Sequence, residues 1–157
     1  MKILVVSNLY PPHAIGGYEE RCRQITEGLA ARGHEMRVLT SHHGLPAPTV
    51  DEDGIHRELR VHGFFGHPWL GMRALYELEK HNHSVLRAQI ESFQPDLIHV
   101  WNLGGISKSL ILTLRDIGRP TVYDISDHWI ARSMRADVWL RWWNGLTKSS
   151  VATFTSK

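Results

Sequence analysis

The chain has 157 residues, a length that fits one globular domain with a full hydrophobic core. Hydrophobic residues make up 42% and charged residues 22%, close to the globular average, which excludes disordered, collagen-like and coiled-coil proteins. Eighteen Lys and Arg against sixteen Asp and Glu leave a net charge of +2, too balanced for nucleic acid to be the main partner. A single cysteine, Cys22, excludes an internal disulfide and a cysteine-rich zinc site.

The sequence also predicts where the protein resides. No apolar run approaches the ~20 residues of a membrane span, and the amino terminus turns polar too soon for a signal peptide. These features predict a soluble, cytoplasmic domain. Residues 151–157 have the pattern of a strand cut at its end, so we expect the domain to belong to something larger.

Hydrophobic periodicity predicts alternating strands and helices. Apolar runs predict strands, helical spacing predicts amphipathic helices, and glycines such as Gly33 and Gly118 supply helix stops. Predicted strands cover residues 3–6, 36–40, 55–65 (as a strand or hairpin), 97–101 and 121–125, with a last one near 151. Predicted helices cover residues 18–32, 71–92, 106–117 and a Trp-rich stretch at 129–146, and residues 42–54 are predicted as a surface loop.

This order predicts an α/β fold, a Rossmann-like three-layer α/β/α arrangement around a mostly parallel sheet. Ligands of such sheets bind beyond the carboxyl ends of the strands, at the point where the strand order reverses. The segments that follow each strand therefore supply the candidate substrate-binding residues, which are Gly16, Gly17, Tyr18, Asn102 and Asp124.

Gly16 and Gly17 directly precede a predicted helix. The first backbone N–H groups of a helix lack partners and its dipole favours an anion, so a phosphate or sugar could approach the backbone where no Cβ intervenes. The structural alternative is a turn whose geometry requires glycine. Both interpretations remain open at this point.

Several competing site types fit poorly. The residues around Gly16 do not supply the G-x-G-x-x-G of a dinucleotide site, and residues 104–109 miss the P-loop spacing. Eleven histidines invite a metal interpretation, but no H-E-x-x-H occurs and His81 and His83 lie two apart on a predicted helix. We therefore expect no metal ion and no bound cofactor.

Two carboxylates and an imidazole, Asp124, Asp127 and His128, lie at the carboxyl end of the predicted strand at 121–125. Asp127 is equally suited to cap the next helix and to contact substrate, and Asp127 and His128 could bind acceptor hydroxyls or handle a proton. Farther on, Trp and Arg residues between 129 and 143 are most simply a buried face. They also suit a peripheral membrane contact at the inner face of a membrane.

Together, these segments resemble the N-terminal domain of family 4 glycosyltransferases of the GT-B fold. The resemblance covers almost the whole chain in the right order. It rests on K-I-L-V-V-S at residues 2–7, Y-P-P at 10–12, G-G at 16–17, E-E at 19–20, L-A-A-R-G-H-E at 29–35, V-L-T at 38–40, Q-P-D-L-I-H-V at 94–100, and P-T-V at 120–122 leading to D-H-W at 127–129.

The resemblance implies one half of a GT-B enzyme, with residues 1–157 as the acceptor-side domain and a C-terminal donor-binding domain absent from this chain. It implies retaining transfer of a sugar from a nucleotide-sugar donor to a glycan, lipid or small-molecule acceptor, without a metal, in the synthesis of a cell-surface polysaccharide or glycolipid. Gly16 and Gly17 would lie against the donor diphosphate or the acceptor, and the fragment alone would be inactive.

Two positions depart from the family pattern. Ser126 stands where the motif has a histidine near the transferred sugar, and Trp101 replaces the second histidine of the 94–100 motif. The candidate catalytic residues are therefore Asp127, which matches the motif's Asp, Ser126, and His128 as a compensating imidazole. The alternative function is a stand-alone Rossmann-like binding module that acts by recognition or pairs with a separate donor domain.

Overall fold

The computed structural model describes residues 1–51, 53–62, 70–126, 128 and 130. Within these ranges strands and helices alternate as the periodicity predicts. The elements in chain order are β1 (Lys2–Val6), α1 (Gly17–Ala30), β2 (Glu35–Ser41), β3 (Thr49–Val50), β4 (Ile55–Leu59), α2 (Met72–Phe93), β5 (Leu97–Val100), α3 (Ser109–Ile117) and β6 (Thr121–Tyr123).

These six strands form one sheet in the order β3-β4-β2-β1-β5-β6, parallel except for β3, which pairs antiparallel with β4. Val5 in β1 lies opposite Val38 of β2 on one side and His99 of β5 on the other. The chain builds outward from β1 through β2 to β4, then crosses to β5 and β6. The reversal of strand order therefore lies between β1 and β5, where α/β sheets bind ligands.

Alternate residues of β1 enter opposite layers of the core. Leu4 and Val6 belong to the larger buried cluster, which includes Leu86 of α2 and Leu110 of α3. Ile3 and Val5 belong to the smaller cluster on the α1 side, which also contains Cys22 and Trp101. Burying one such side chain contributes roughly 1.5–3 kcal/mol, so the two-sided burial of β1 secures the predicted three-layer α/β/α fold.

Helix α1 begins and ends on local signals. Gly16 is its N-cap, and the Glu19 carboxylate accepts the Gly16 N–H at 3.0 Å, as in a capping box. After the helix, Gly33 has a φ of +84°, the left-handed conformation that glycine adopts without a Cβ clash. The start of α1 is therefore held by its own sequence.

Two predicted elements differ in the structure. The prediction that residues 42–54 are a loop is wrong at Thr49–Val50, which forms β3 and turns back into β4. The turn is closed by a hydrogen bond from Gly54 N to Asp51 O at 3.0 Å, with Gly54 at a φ of +74°. The strand predicted from 55 ends at Leu59.

The carboxyl-terminal predictions fall largely beyond the described ranges. The helix predicted at 129–146 and the strand predicted near 151 lie outside the described residues, apart from Ile130, which packs partly buried against the larger cluster. In the part of the chain that the structure describes, no helix is both long enough and apolar enough to cross a membrane.

Candidate functional site

The ends of β1, β2 and β5 are joined by Asn8, which is fully buried. Its backbone N–H donates to Asn102 O at 2.8 Å and its Nδ2 donates to Gly104 O at 2.9 Å. On the other side its carbonyl accepts the Ser41 hydroxyl at 2.5 Å. Asn8 therefore sets the spacing of three loops at the point where the strand order reverses.

Gly16 and Gly17 follow β1 and open α1 at this edge of the sheet. The Glu19 carboxylate accepts the N–H groups of both Ile15, at 3.3 Å, and Gly16, at 3.0 Å. The N–H groups of Gly17 and Tyr18 lie in the first helical turn, where no intrahelical acceptor exists. A ligand at this helix start would therefore meet the Gly17 and Tyr18 amides, with Gly16 beside them.

Neither glycine is required by the fold itself. Gly16 has a φ of −160°, extended backbone that any residue adopts, and Gly17 is helical. A Cβ added to either would meet no atom of the described chain within 4 Å. The alternative interpretation from the sequence, a turn whose geometry needs glycine, is therefore wrong for these two positions, and the space above them is open.

Tyr18 connects the start of α1 to the segment after β6. Its hydroxyl donates to Asp124 O at 2.5 Å and accepts the Ser126 N–H at 3.2 Å. One helical turn later, Arg21 donates to the Ser126 hydroxyl at 3.2 Å and lies 3.7 Å from the Asp124 carboxylate. The Ser126 hydroxyl in turn donates to Asp124 Oδ1 at 2.7 Å. These contacts form a polar wall beside the glycine pair.

Next to this wall, His99 of β5 packs against the fully buried Trp101, the residue after β5. The His99 and Trp101 rings are 5.1 Å apart, and Tyr18 meets Trp101 edge-on at 5.7 Å. Burial lowers the pKa of the His99 imidazole below its usual value, while the Asp124 carboxylate acts in the opposite direction. His99 is therefore held mainly in its neutral form at pH 7, able to donate or accept one hydrogen bond.

The loop after β5 is closed upon itself. Asn102 Oδ1 accepts the Gly104 N–H at 2.8 Å, and Lys108 Nζ donates to Leu103 O at 2.8 Å and Ile106 O at 2.9 Å. Lys108 is thus engaged by the carbonyls of its own loop, which agrees with the exclusion of a P-loop. In the described ranges, no group of three or more His, Cys, Asp and Glu side chains is placed to hold a metal ion.

The structure brings together most of the residues predicted as a site. Gly16, Gly17 and Tyr18 meet Asp124 and Ser126 through the Tyr18 hydroxyl. Asn102 belongs to the adjoining loop through Asn8, His128 is exposed, and Asp127 lies outside the described residues. The catalytic and substrate-binding roles of these residues stay predictions.

Sequence reasoning marked the segment from Asn8 to Tyr18 without selecting Asn8 as a site residue, and it missed Arg21, His99 and Arg57. Asn8 had a usable signal, because it is a polar residue two positions after the end of a buried strand. Arg21 is three positions after Tyr18 on the same helix face. Arg57 had none, since it bonds to the backbone carbonyls of Tyr10 and Pro11, 47 and 46 residues away.

Sequence comparison places most of the chain in one family. Residues 16–156 match the profile of the family described as "Glycosyl transferase 4-like domain". A segment of 46 residues is 44% identical to an uncharacterized glycosyltransferase of Methanocaldococcus jannaschii, covering 29% of this chain and 12% of that protein.

Structural comparison finds the same architecture. Sucrose-phosphate synthase from Thermosynechococcus elongatus superposes with a TM-score of 0.58 and 17% sequence identity, over 85% of this chain and 35% of that enzyme. The likeness concerns the fold, and the solved neighbours are GT-B glycosyltransferases. The chain spans about a third of the length of that solved relative and matches a shorter part of the curated one.

Proposed function

The chain belongs to the glycosyl transferase 4-like domain family, and on this premise we propose that it is the acceptor-side domain of a retaining glycosyltransferase. The proposed reaction moves a sugar from a nucleotide-sugar donor to a glycan, lipid or small-molecule acceptor. The donor is a substrate, and the proposal includes neither a resident cofactor nor a metal ion, as the family resemblance implies.

One observation carries this proposal. The glycine pair opens α1 at the reversal of strand order, and neither glycine is needed for backbone conformation or packing. Two missing Cβ atoms leave a surface over which a diphosphate or sugar can approach the Gly17 and Tyr18 amides. The helix dipole adds a partial positive charge at the same place.

The wall formed by Tyr18, Arg21, Asp124 and Ser126 supports binding of a polar acceptor. The Asp124 carboxylate can accept hydrogen bonds from sugar hydroxyls, and the Ser126 hydroxyl can accept or donate them. The partly exposed Tyr18 ring, packed edge-on against the fully buried Trp101, supplies an apolar surface. Arg21 remains more than half exposed and 3.7 Å from Asp124. It can therefore reorient toward an anionic group, while the Asp124 carboxylate keeps its hydrogen bond from the Ser126 hydroxyl.

Catalytic roles are proposed for Asp127, Ser126 and His128. The Ser126 hydroxyl is neutral and bonded to Asp124 at 2.7 Å, so it suits hydrogen bonding to the transferred sugar rather than service as a cationic acid. His128 is exposed and could supply the imidazole that the family motif places at 126. Asp127 matches the acidic residue of the motif.

The proposed enzyme needs a second, donor-binding domain in cis. The chain aligns with 35% of the sucrose-phosphate synthase chain, which supports the proposal that it represents one part of a larger enzyme. By this proposal the protein works in the cytoplasm, with a peripheral contact at the inner face of a membrane when the acceptor is a lipid. The isolated domain would not turn over a sugar nucleotide.

The test compares Gly17→Asp with Gly71→Asp in the protein produced from the complete reading frame. Both glycines flank helix starts and have open space where a Cβ would lie, so both variants should fold. Release of nucleoside diphosphate from a panel of UDP- and GDP-sugars is measured. Gly17→Asp should lose at least about tenfold in turnover, because a carboxylate would repel the diphosphate, while Gly71→Asp should retain wild-type turnover.

Two outcomes would overturn the proposal. Unchanged turnover in Gly17→Asp would refute the proposed contact between the donor diphosphate and the glycine pair. The two-domain enzyme would be refuted if the natural reading frame stops at Lys157 and its product neither binds nor turns over a sugar nucleotide. The binding-module alternative would then remain. A downstream domain with the family's E-x7-E motif supports the enzyme.

A further inference from the structure

Arg57 is a buried arginine on β4 whose guanidinium reaches the loop between β1 and α1. Its side chain is 3% exposed. Nη1 donates to Tyr10 O at 2.9 Å, Nη2 donates to Pro11 O at 2.6 Å, and Nε donates to Asp51 Oδ2 at 3.1 Å. Since β2 lies between β4 and β1 in the sheet, the Arg57 side chain reaches past β2 to contact the loop that follows β1.

The two carbonyl bonds determine what Arg57 does. A buried guanidinium is costly unless its donors are satisfied, and here two of its three nitrogens are satisfied by main-chain carbonyls of one loop. The planar fork of arginine holds two neighbouring carbonyls in a fixed relative orientation, which an ammonium cannot do. Asp51, which is partly exposed, supplies the compensating charge from the β3–β4 turn.

The loop that Arg57 holds leads directly to the glycine pair. Tyr10 is buried and forms an isolated bridge with His13, so the first part of the loop is anchored. At the other end, the Glu19 carboxylate holds the N–H groups of Ile15 and Gly16. Arg57 and Glu19 therefore fix the loop from its two ends, and Gly17 lies just beyond the second anchor.

We propose that Arg57 is a positioning residue that sets the conformation of the β1–α1 loop and thereby the place of the Gly17 and Tyr18 amides at the site. The effect on a ligand rests on the proposed function. The effect on the loop does not, because it follows from the hydrogen bonds within this chain.

The test measures backbone hydrogen exchange in the wild type, Arg57→Lys, Arg57→Met and Asp51→Asn. Exchange of the Ile15 and Gly16 amides, which the loop holds against the Glu19 carboxylate, should be at least about tenfold faster in both Arg57 variants, because the guanidinium hydrogen bonds to Tyr10 O and Pro11 O are lost. Exchange in β5 and α2 should stay within about twofold of the wild type. Asp51→Asn keeps both carbonyl bonds and should leave the loop close to wild type.

Arg60→Met is the matched control, because Arg60 follows β4 with an exposed side chain and its substitution removes the same charge. Arg60→Met should leave amide exchange throughout the β1–α1 loop at the wild-type rate. If Arg57→Met fails to fold, loop exchange in Arg57→Lys and Asp51→Asn tests the proposal instead. Wild-type exchange in Arg57→Lys overturns the proposal, and so does an Asp51→Asn variant that loosens the loop as much, because the ion pair would then be the cause.

Binding of UDP and GDP to the same variants, made in the protein produced from the complete reading frame, separates this proposal from the proposed function. Arg57→Lys should bind the nucleotide at least about tenfold more weakly than the wild type, and Arg60→Met should match the wild type. If the wild type binds neither nucleotide, the proposed function fails, while the exchange measurement still decides the role of Arg57.

Discussion

The Tyr18 hydroxyl donates a hydrogen bond to the Asp124 carbonyl at 2.5 Å, which joins two residues 106 positions apart in the chain. The same oxygen accepts the Ser126 N–H at 3.2 Å. One phenol thus satisfies two main-chain groups of the segment after β6 and ties that segment to the first turn of α1. The Tyr18 side chain therefore connects the glycine pair to Asp124 and Ser126.

Tyr18→Phe should release the segment after β6 while α1 remains intact. The ring still packs edge-on against Trp101, but two hydrogen bonds of roughly 0.5–1.5 kcal/mol each are lost. Amide exchange at residues 124–126 should accelerate about tenfold. The control is Tyr76→Phe, at an exposed tyrosine of α2, which should leave amide exchange at residues 124–126 unchanged. Exchange at the wild-type rate in Tyr18→Phe would contradict the role of the Tyr18 hydroxyl.

Asn8→Asp should destabilise the fold by roughly 2–4 kcal/mol, because a buried carboxylate replaces the amide that donates to Gly104 O. Asn82→Asp is the matched control. Asn82 is also fully buried, and its Nδ2 donates to Arg60 O at 2.9 Å, away from the site. Urea unfolding should give similar losses for both variants.

The two asparagine variants should differ in the site. Asn8→Asp should shift the amide resonances of Ser41 and Gly104, which lie at the ends of β2 and beyond β5, whereas Asn82→Asp should leave them in place. Equal shifts in both proteins would show that Asn8 acts on overall stability alone.

His99 should make stability depend on pH below neutrality. Burial lowers its pKa in the folded state, so the unfolded chain binds a proton more readily. The stabilising contribution is fully present above the unfolded pKa of about 6.5 and is lost as pH falls through the folded pKa. Urea midpoints of the wild type should therefore fall more steeply between pH 7 and pH 5 than those of His99→Gln.

His128→Gln is the control for this pH dependence, because His128 is exposed. Its urea midpoints should follow the wild type across the same pH range. Parallel curves for the wild type and His99→Gln would refute the assigned direction of the His99 pKa.

Cys22 should be protected from alkylation in the native protein. The thiol is fully buried in the α1-side cluster, and burial raises its pKa above the usual value, so little thiolate forms at pH 8. Iodoacetamide should react at least about a hundredfold more slowly with the native protein than with the guanidinium-unfolded chain. Rapid labelling of the native protein would mean that α1 opens easily and would remove Cys22 from the core.

The alternation of strands and helices was predictable because burial imposes local periodicity. The apolar run of β1 and the helical spacing of α2 each mark an element within a few neighbouring residues. Family motifs and the rule that ligands bind beyond the strand ends then directed attention to Gly16, Tyr18 and Asp124. The two-residue strand β3 was missed because so short a segment has no measurable period.

Short stretches of sequence specify the α/β fold, the family and the segments from which the candidate site is built, because hydrophobic periodicity and motif order are local properties of the chain. Which of those segments meet became known from the three-dimensional arrangement alone. Tyr18 bonds to Asp124 across 106 positions and Asn8 to Gly104 across 96. Backbone polar groups buried at the loop ends need a hydrogen-bond donor or acceptor. The order of strands in the sheet determines which residues, however distant in sequence, lie close enough to supply it.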